Sequence, residues 1–233
     1  MRSSADLPAA AVIVAGGAGT RLGGAVRKQY LELAGEPVLL RALRPFVDHP
    51  GIASVVAVLP PDDAAHPPSW LTALRVTVVP GGAERGDSVW NGLQAIPASV
   101  GRVLVHDGAR PLVTRAVIDR VLAACGEGGA IAAVQATDTI KQVDAEGRIT
   151  GTPDRRALWQ AQTPQGFPAA RLLDAYRRAR AEGVLATDDA AVYERYAGPV
   201  RVVLGAAENL KVTRPGDLEI AELLLRRMAR DGG

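Results

Sequence analysis

Short apolar segments alternate along the chain with segments of mixed polarity. Residues 9–15 are uninterrupted apolar positions that stop at glycines, which is typical of a strand buried on both faces. Similar runs predict further strands at 52–59, 76–79, 103–105, 130–134 and 200–204. Helices are predicted between them, at 37–46, 88–96, 114–126 and 168–183, and from 187 and from 215 onward. This alternation predicts an α/β fold, with a Rossmann-like, mainly parallel twisted sheet flanked by helices.

The alternation is broken after residue 134. Residues 139–143 and 148–150 flank the segment Asp144-Ala145-Glu146-Gly147, a β-hairpin signature that stands where a helix is due. We therefore expect residues 138 to about 160 to form an arm that leaves the core. The chain shows no internal repeat, low-complexity tract or linker, so residues 1–233 are predicted to form a single domain that carries this arm.

Composition and charge argue against several classes of protein. The 27 basic and 25 acidic residues give a formal net charge of +2, without the basic excess of a nucleic-acid-binding protein. No segment reaches the roughly 18 apolar residues of a transmembrane helix, and no apolar signal core precedes Asp6 and Pro8. Cys125 is the single cysteine, so no intrachain disulfide forms. We expect a cytoplasmic protein with a buried thiol that binds neither nucleic acid nor a membrane.

A glycine-rich loop follows the first predicted strand. Glycines bring backbone amides close to a ligand, and such amides bind phosphate oxygens well. The loop lacks the Gly-Lys-Ser/Thr of a Walker A motif, and Leu22 stands where a dinucleotide fingerprint needs its third glycine. Arg21 and Lys28 flank it with two positive charges that suit a triphosphate, although a structural turn with solvated surface charges is the alternative. The residues predicted to face phosphate are Ala15, Gly16, Gly17, Ala18 and Gly19.

This loop and a series of later motifs resemble one enzyme family. Ala-Gly-Gly-x-Gly-Thr-Arg after the first strand resembles the nucleotidyltransferase superfamily, which activates sugars and polyols with nucleoside triphosphates. The motifs that follow resemble the methylerythritol phosphate cytidylyltransferases, in the same order and from residue 9 to about 227. They are Lys-Gln-Tyr-Leu at 28–31, Gly-Gly-Ala-Glu-Arg at 81–85, Asp-Ser-Val at 87–89, His-Asp-Gly-Ala-Arg-Pro at 106–111, Asp-Thr-Ile-Lys at 138–141, Asp-Arg at 154–155, Leu-Trp at 158–159, Thr-Pro-Gln at 163–165, Thr-Asp-Asp at 187–189 and Asn-Leu-Lys-Val-Thr at 209–213.

A few positions depart from the family pattern or bear on the acceptor. Many members have alanine where this chain has Gly16, and an acidic residue where it has Ala83, so any side-chain role at position 83 is lost here. The related ribitol 5-phosphate cytidylyltransferases share much of the pattern but favour Phe and Val where this chain has Tyr30 and Ala109. These two residues favour methylerythritol phosphate over ribitol 5-phosphate as the acceptor.

The resemblance implies a nucleotidyltransferase domain that transfers CMP from CTP to 2-C-methyl-D-erythritol 4-phosphate and releases pyrophosphate, a step of non-mevalonate isoprenoid biosynthesis. It implies Mg²⁺ held mainly by the CTP phosphates, and a homodimer formed through the arm. Arg21 and Lys28 are the implied catalytic residues, with Lys28 nearest the α-phosphate. The implied nucleotide-binding residues are the glycine loop with Gly81, Gly82, Ser88 and Asp107. The implied acceptor-binding residues are Asp107, Arg110, Thr139, Arg155, Thr163 and Lys211.

Several of these residues also have simpler interpretations. Ser88 would serve as a helix cap, and Asp107 would form an ion pair with Arg110 at a turn. His106 is predicted to be structural, because a phosphate monoester with a second pKa of about 6 is mostly dianionic at neutral pH and needs no general base. Trp159 is predicted to anchor the arm by packing.

Wider alternatives concern the function itself. A nucleotidyltransferase for a sugar phosphate that uses UTP or GTP shares the first motif, and a non-catalytic nucleotide-binding regulator would share the glycine loop. The pair of cations at Arg21 and Lys28 argues against the regulator, and binding without pyrophosphate release would support it.

Overall fold

The computed structural model describes residues 7–17, 27–184 and 186–231. Its strands are β1 (Ala9–Val14), β2 (Glu32–Leu33), β3 (Glu36–Pro37), β4 (Ile52–Leu59), β5 (Thr77–Pro80), β6 (Arg102–Asp107), β7 (Gly129–Gln135), β8 (Gln142–Val143), β9 (Ile149–Gly151), β10 (Trp159–Pro168) and β11 (Val200–Leu204). Its helices are α1 (Val38–Val47), α2 (Pro61–Ala65), α3 (Ser69–Thr72), α4 (Arg85–Gln94), α5 (Arg115–Ala124), α6 (Ala169–Ala181), α7 (Asp189–Tyr196) and α8 (Pro215–Asp231).

A seven-stranded sheet with the order β11-β7-β10-β6-β1-β4-β5 forms the centre of the molecule. β1 pairs in parallel with both β4 and β6, β5 extends the sheet in parallel beyond β4, and β11 pairs in parallel with β7. The predicted α/β class with a mainly parallel sheet is therefore confirmed.

One strand of this sheet was missed by the sequence analysis. β10 lies between β6 and β7 and is antiparallel to both, with an irregularity in its pairing to β7 between Ala161 and Gln165. Its sequence is rich in glutamine and lacks the apolar run or the alternation that marks the other strands. Trp159 and Gln160, which we placed at the end of the arm, belong to this strand and pair with β7.

Two apolar layers cover the faces of the sheet, and alternate residues of β1 point into each. Ala9, Ala11 and Ile13 pack into the layer that contains α1 and α5. Ala10 and Val12 pack into the layer that contains α4, α6 and α7. A small third cluster packs α8 against residues that flank α1 and α5, including Leu33 and Leu112. Burial on both faces explains why β1 is a continuous apolar run.

Helix starts follow the capping residues of the sequence, with one correction. Thr114 caps α5, because its hydroxyl accepts a hydrogen bond from the backbone N–H of Val117 at 3.4 Å. Helix α4 begins at Arg85 and not at Ser88, since a reciprocal capping box between Glu84 and Asp87 starts it one turn earlier. Ser88 is therefore an interior residue of α4, and its interpretation as a cap is wrong.

The predicted hairpin is present as the β8–β9 ribbon, which is separate from the main sheet. The carboxylate of Asp144 closes its turn by accepting hydrogen bonds from the backbone N–H groups of Glu146 and Arg148. Apolar side chains of the arm point into solvent: Val143 is 56% exposed and Ile149 is 63% exposed. Trp159 is 42% exposed, so within one chain it does not act as the predicted packing anchor.

The remaining general expectations concern Cys125 and membranes. Cys125 is a buried free thiol, as predicted, and burial raises its pKa to about 11. In the part of the chain that the structure describes, no helix has both the length and the apolar character needed to span a bilayer.

Candidate active site

A cavity of about 390 Å³ opens at the carboxyl ends of β1, β5 and β6. Ligands of open α/β sheets bind beyond those ends, where the loops after neighbouring strands diverge. We call this the central cavity. Its walls come from the loop after β1, the residues before and within α4, the turn after β6 and one residue near the C-terminus. They are Val14, Ala15, Gly16, Gly17, Lys28, Gln29, Gly82, Ala83, Glu84, Arg85, Ser88, Asp107, Gly108, Ala109 and Lys211.

Two glycine loops approach each other in the wall of this cavity. A methyl group added at Gly16 would stand 3.3 Å from the Cα of Gly81 and 2.9 Å from the hydroxyl of Ser88. A methyl group added at Gly81 would meet the Cα of Gly16 at 3.1 Å. A methyl group at either position would require neighbouring atoms to shift by a few tenths of an ångström, so glycine allows this close approach. This contact joins the loop after β1 to the loop after β5.

Ser88 fixes the second of these loops from inside helix α4. Its hydroxyl accepts a hydrogen bond from the backbone N–H of Gly82 at 3.1 Å and donates to the carbonyl of Glu84 at 3.2 Å. The side chain is buried, and both its donor and one acceptor site are already used. Ser88 therefore shapes the loop that lines the cavity.

Lys28 lines the central cavity from a short 3₁₀ helix, Lys28–Tyr30. The residues that follow hold this helix in place. The side-chain amide of Gln29 donates to the carbonyl of Ala15 at 3.2 Å, and the Tyr30 hydroxyl donates to Asp63 of α2 at 2.8 Å. Tyr30 also packs edge-on against Trp70, and it is not among the residues that line the cavity. In this chain the Tyr30 hydroxyl therefore contacts Asp63 and not the central cavity.

Asp107 lies at the floor of the central cavity among three cations. Its Oδ1 accepts from Arg85 Nε at 3.1 Å, its Oδ2 lies 2.9 Å from Lys211 Nζ, and Arg110 Nε stands 3.8 Å from Oδ2. Asp107 is only 7% exposed. Burial alone would raise its pKa, but the charges of Arg85 and Lys211 outweigh burial and hold the pKa well below its ordinary value. The carboxylate is therefore ionised throughout the neutral range.

The segment around Asn209 places two of these cations. Asn209 is fully buried, and its side-chain amide donates to the carbonyl of Thr163 at 2.8 Å. Its own carbonyl accepts from the guanidinium of Arg110 at 2.7 Å. Just beyond it, the backbone N–H of Val212 donates to the carbonyl of Ala109 at 2.8 Å, which sets Lys211 against the turn after β6.

His106 and Thr163 form the support beneath Asp107. The Thr163 hydroxyl lies 2.9 Å from His106 Nδ1 and accepts from the backbone N–H of Asp107 at 3.0 Å. His106 Nε2 lies 3.2 Å from the carbonyl of Arg110. A neutral imidazole with its proton on Nε2 satisfies all three contacts. Burial lowers the pKa of His106 to about 4, so the ring is neutral at physiological pH.

The central cavity and its surroundings bring together most of the predicted site residues that the structure describes. Ala15, Gly16, Gly17, Lys28, Gly82, Ser88, Asp107 and Lys211 line it, while Gly81, Arg110 and Thr163 contact residues that do. Thr139 and Arg155 do not line it: both are exposed on the arm, and Arg155 donates to the carbonyl of Thr137. The predicted residues Ala18, Gly19 and Arg21 lie outside the described residues.

The structure adds residues that sequence reasoning did not single out. Arg85 links Asp107 to Asp189, a carboxylate at the start of α7 that also accepts from the Tyr176 hydroxyl at 2.5 Å. The sequence signal for Asp189 was the Thr-Asp-Asp motif at 187–189. Asp188 caps α7, because its carboxylate accepts from Ala191 N–H at 2.9 Å, and the link to the cavity lies one residue further on.

A second cavity, of about 290 Å³, lies between α4, α6 and the start of α7, on the other side of Arg85. Residues of the motifs at 81–85, 87–89 and 187–189 line it, but none of the described residues named above as implied nucleotide-binding or acceptor-binding residues does. The central cavity is therefore the candidate active site. A glycine-lined wall, a lysine and an ionised aspartate among cations suit a ligand rich in phosphate.

Comparison with known proteins agrees with these features. A model of the 2-C-methyl-D-erythritol 4-phosphate cytidylyltransferase (IspD) family matches residues 9–227. The protein of that name from Symbiobacterium thermophilum is 45% identical over 226 residues, which cover 97% of this chain and 96% of that protein.

Solved structures give the same relationship. The 2-C-methyl-D-erythritol 4-phosphate cytidylyltransferase of Thermus thermophilus is 37% identical and matches with a TM-score of 0.79 over 94% of this chain and 100% of that chain. The 4-diphosphocytidyl-2C-methyl-D-erythritol synthase of Anaerococcus prevotii is 27% identical, with a TM-score of 0.84 over 94% of this chain and 99% of that chain. The family model covers nearly the whole chain, and the chain therefore belongs to the 2-C-methyl-D-erythritol 4-phosphate cytidylyltransferase family.

Proposed function

We propose that this chain transfers CMP from CTP to 2-C-methyl-D-erythritol 4-phosphate, with release of pyrophosphate. Membership in the family supports this activity and its place in non-mevalonate isoprenoid biosynthesis. In the structure, the main support for the proposal is the cluster around Asp107. Three cations, from Arg85, Arg110 and Lys211, contact only two carboxylates there, those of Asp107 and Asp189. A net positive cluster beside a glycine-lined cavity suits the meeting of a dianionic phosphate monoester with a nucleoside triphosphate.

The reaction makes few demands on proton transfer. The acceptor phosphate has a second pKa of about 6 and is mostly dianionic at neutral pH, so its oxygen attacks the α-phosphorus without a general base. The bond from the α-phosphorus to the bridging oxygen breaks, and pyrophosphate leaves with that electron pair. Charge develops on the phosphoryl oxygens in transit, and we assign their stabilisation to Lys28 and to Arg21. The neutral His106 needs no role in this scheme.

We assign nucleotide binding to the glycine loop and the loop 81–84. The backbones of Gly16, Gly17 and Gly82 line the cavity without side chains in the way, which lets phosphate oxygens and the edge of a base approach closely. The N–H of Gly82 is already bonded to Ser88, so we assign the phosphate-binding amides to Gly16 and Gly17. Ala83 lines the same wall and offers only its backbone there. Asp107 faces both substrates in this scheme, and its ionised oxygens suit the hydroxyl groups of a ribose or a polyol.

Mg²⁺ is part of the proposal, held mainly by the phosphates of CTP. Among the described residues, no three His, Cys, Asp or Glu side chains converge as a metal cage. Both oxygens of Asp107 already contact cations, so the cavity wall is not built as a carboxylate site. Mg²⁺ commonly binds through substrate phosphates with few protein ligands, which fits this wall, and it would supply neutralisation of phosphate charge.

We further propose that the chain acts as a homodimer through its arm. Thr139 and Arg155 lie on the arm outside the central cavity of their own chain, and Val143 and Ile149 expose apolar surface there. An isolated two-stranded ribbon is marginally stable in water, so the arm needs a partner surface. In a dimer the arm would bring Thr139 and Arg155 to the acceptor site of the second subunit.

Light scattering tests the dimer. The double variant Val143→Ser, Ile149→Ser should weaken the dimer and lower activity together with it, and a wild-type monomer with full activity would contradict the arrangement. Arg148→Ser, on the exposed turn of the same ribbon, serves as a control that keeps the apolar surface intact. The cytoplasmic location stays a prediction from the sequence.

Pyrophosphate release tests the activity itself. Purified protein is assayed with CTP, Mg²⁺ and 2-C-methyl-D-erythritol 4-phosphate, in parallel with ribitol 5-phosphate and with UTP or GTP in place of CTP. We expect release only with CTP and the methylerythritol compound. Release only with ribitol 5-phosphate would retain the chemistry and replace the acceptor, whereas binding of CTP without release under any condition would support a regulatory protein instead.

A further inference from the structure

A network of ionic contacts leads from the floor of the central cavity into the helical layer behind it. Arg85 Nε donates to Asp107 Oδ1 at 3.1 Å. The two terminal nitrogens of the same guanidinium donate to the two oxygens of Asp189, at 3.2 and 2.9 Å. Asp189 Oδ1 also accepts from the Tyr176 hydroxyl at 2.5 Å. This network thus joins β6, α4, α7 and α6 through their side chains.

The geometry of Arg85 makes this contact directional. A guanidinium is planar, and its donors point in fixed directions. Because two of its nitrogens are held by both oxygens of Asp189, the direction in which the third donor, Nε, points is determined. That donor points at Oδ1 of Asp107 and leaves Oδ2 to Lys211. Asp189 therefore keeps Arg85 on Oδ1 of Asp107, so that Oδ2 remains for Lys211.

Asp189 is placed where it cannot touch a ligand in the central cavity. It has no exposed surface and lines neither cavity, so its effect on the site passes through Arg85. A buried carboxylate carries a large desolvation cost, and a buried ion pair is weak evidence of a contribution to stability. The bidentate pairing of Asp189 with Arg85, together with its hydrogen bond from Tyr176, instead favours a role in fixing the orientation of the Arg85 guanidinium.

We propose that Asp189 is a positioning residue which, through the fork of Arg85, holds the Asp107 carboxylate in the orientation that receives the hydroxyl groups of the acceptor. The proposal rests on the proposed function, in which Asp107 contacts the acceptor. Without Asp189 the guanidinium of Arg85 turns towards Asp107 as its single carboxylate partner. It then competes with Lys211 and with the acceptor for the same oxygens.

Kinetics of Asp189→Asn separate this role from a merely structural one. Wild type and variant are compared in KM for the acceptor, KM for CTP and kcat, with thermal unfolding recorded for each. Losing a charge-assisted hydrogen bond in the site should raise the acceptor KM by about tenfold or more, while the CTP KM changes by less than about threefold. A general loosening of the fold would instead alter both KM values and kcat.

Asp188→Asn is the matched control. It removes the same charge one residue earlier, and asparagine still caps α7 through its carbonyl oxygen. Asp188 does not contact Arg85 through any hydrogen bond of the described residues, so this variant should keep the wild-type acceptor KM. Tyr176→Phe removes only the outer hydrogen bond to Asp189 and should give an increase smaller than that of Asp189→Asn.

A double-mutant cycle tests whether Asp189 acts through Arg85. In an Arg85→Gln background, Asp189→Asn should change the acceptor KM by less than about twofold, because the fork that transmits its effect is gone. Equal effects of Asp189→Asn in both backgrounds would overturn the proposal, and so would a wild-type acceptor KM in the single variant.

If Asp189→Asn does not fold, Arg85→Lys replaces it. The ammonium of lysine is a point charge and cannot pair with both oxygens of Asp189, so the acceptor KM should rise in this variant as well. An unchanged acceptor KM would overturn the proposal equally.

The wild-type assay separates failure of this inference from failure of the proposed function. Wild-type protein that releases no pyrophosphate with any acceptor contradicts the function. Active wild-type protein whose acceptor KM is insensitive to both Asp189→Asn and Arg85→Lys contradicts only the positioning role.

Discussion

His106 should make folding stability depend on pH in a way that can be calculated from its surroundings. The ring is fully buried, packs against Phe46 at 4.9 Å between centroids, and contacts Thr163 and the carbonyl of Arg110. Burial lowers its pKa from 6.5 to about 4. The unfolded chain therefore binds a proton more readily than the folded chain, and acid favours unfolding.

The size of the effect follows from these two values. Each pKa unit corresponds to about 1.4 kcal/mol, so the full shift is worth about 3 kcal/mol. This stability is fully present above pH 6.5 and is lost as the pH falls towards 4. Between pH 7.5 and pH 5 the loss from His106 alone should be about 2 kcal/mol.

Urea unfolding at fixed protein concentration, at pH 7.5 and at pH 5, measures this loss. His106→Gln should be less stable than wild type at pH 7.5, but it should lose about 2 kcal/mol less on acidification because it has no imidazole to protonate. Thr163→Val removes the hydrogen bond and keeps the ring, so it should retain the wild-type pH dependence. Equal losses in wild type and His106→Gln would refute the assignment of a buried, neutral histidine.

Three further predictions concern single positions. Lys28→Ala should lower kcat by at least about a hundredfold, the loss expected for one transition-state cation; near wild-type turnover would contradict its role. Gly82→Ala should lower kcat/KM for CTP by about tenfold or more, because the new methyl group would overlap Asp87; an unaffected value would show that the loop adapts. Gly92→Ala should destabilise the fold by about 1–3 kcal/mol in thermal unfolding, because its methyl group would overlap core valines of β1 and β4. Gly216→Ala in α8 is the control: the added methyl group meets no described atom within 4 Å, so this variant should be neutral or stabilising.

Two of the strands that the sequence predicted, β1 and β4, have a simple pattern of burial. β1 and β4 are covered on both faces by apolar side chains, so their sequences are largely apolar. The cap of α5 was likewise predicted, because Thr114 acts on its own helix through a bond three residues away. Local signals of this kind need no knowledge of what lies across the fold.

β10 escaped prediction because tertiary contacts satisfy its polar side chains. Gln162 is buried, and its amide donates to the carbonyl of Ala206. Gln165 is buried as well, and its side chain bonds both Asp188 and the backbone N–H of Ala190. These partners are distant in sequence, so glutamine-rich residues in the middle of a sheet look locally like a loop.

The site also has parts with local sequence signals, which were predicted, and parts that depend on residues distant in sequence, which were missed. The glycine loops were evident from their composition, but the contact of Gly16 with Gly81 joins two loops that only the sheet order brings together. Lys28 and Asp107 were identified from motifs of the family. Asp189 was missed because its partner Arg85 precedes it by 104 residues, and nothing local distinguishes a buried aspartate from a helix-capping one.

The ionic network explains how the site keeps its cations close together before substrates arrive. Arg85, Arg110 and Lys211 would repel one another if no carboxylate lay among them. Asp107 holds all three within reach, and Asp189 holds the far side of Arg85. The carboxylates leave part of the positive charge uncompensated, and in the proposed function that remainder would attract a dianionic acceptor. A further carboxylate at the cavity wall would complete the neutralisation and remove this attraction, so the balance of charges matters more to binding than the number of cations.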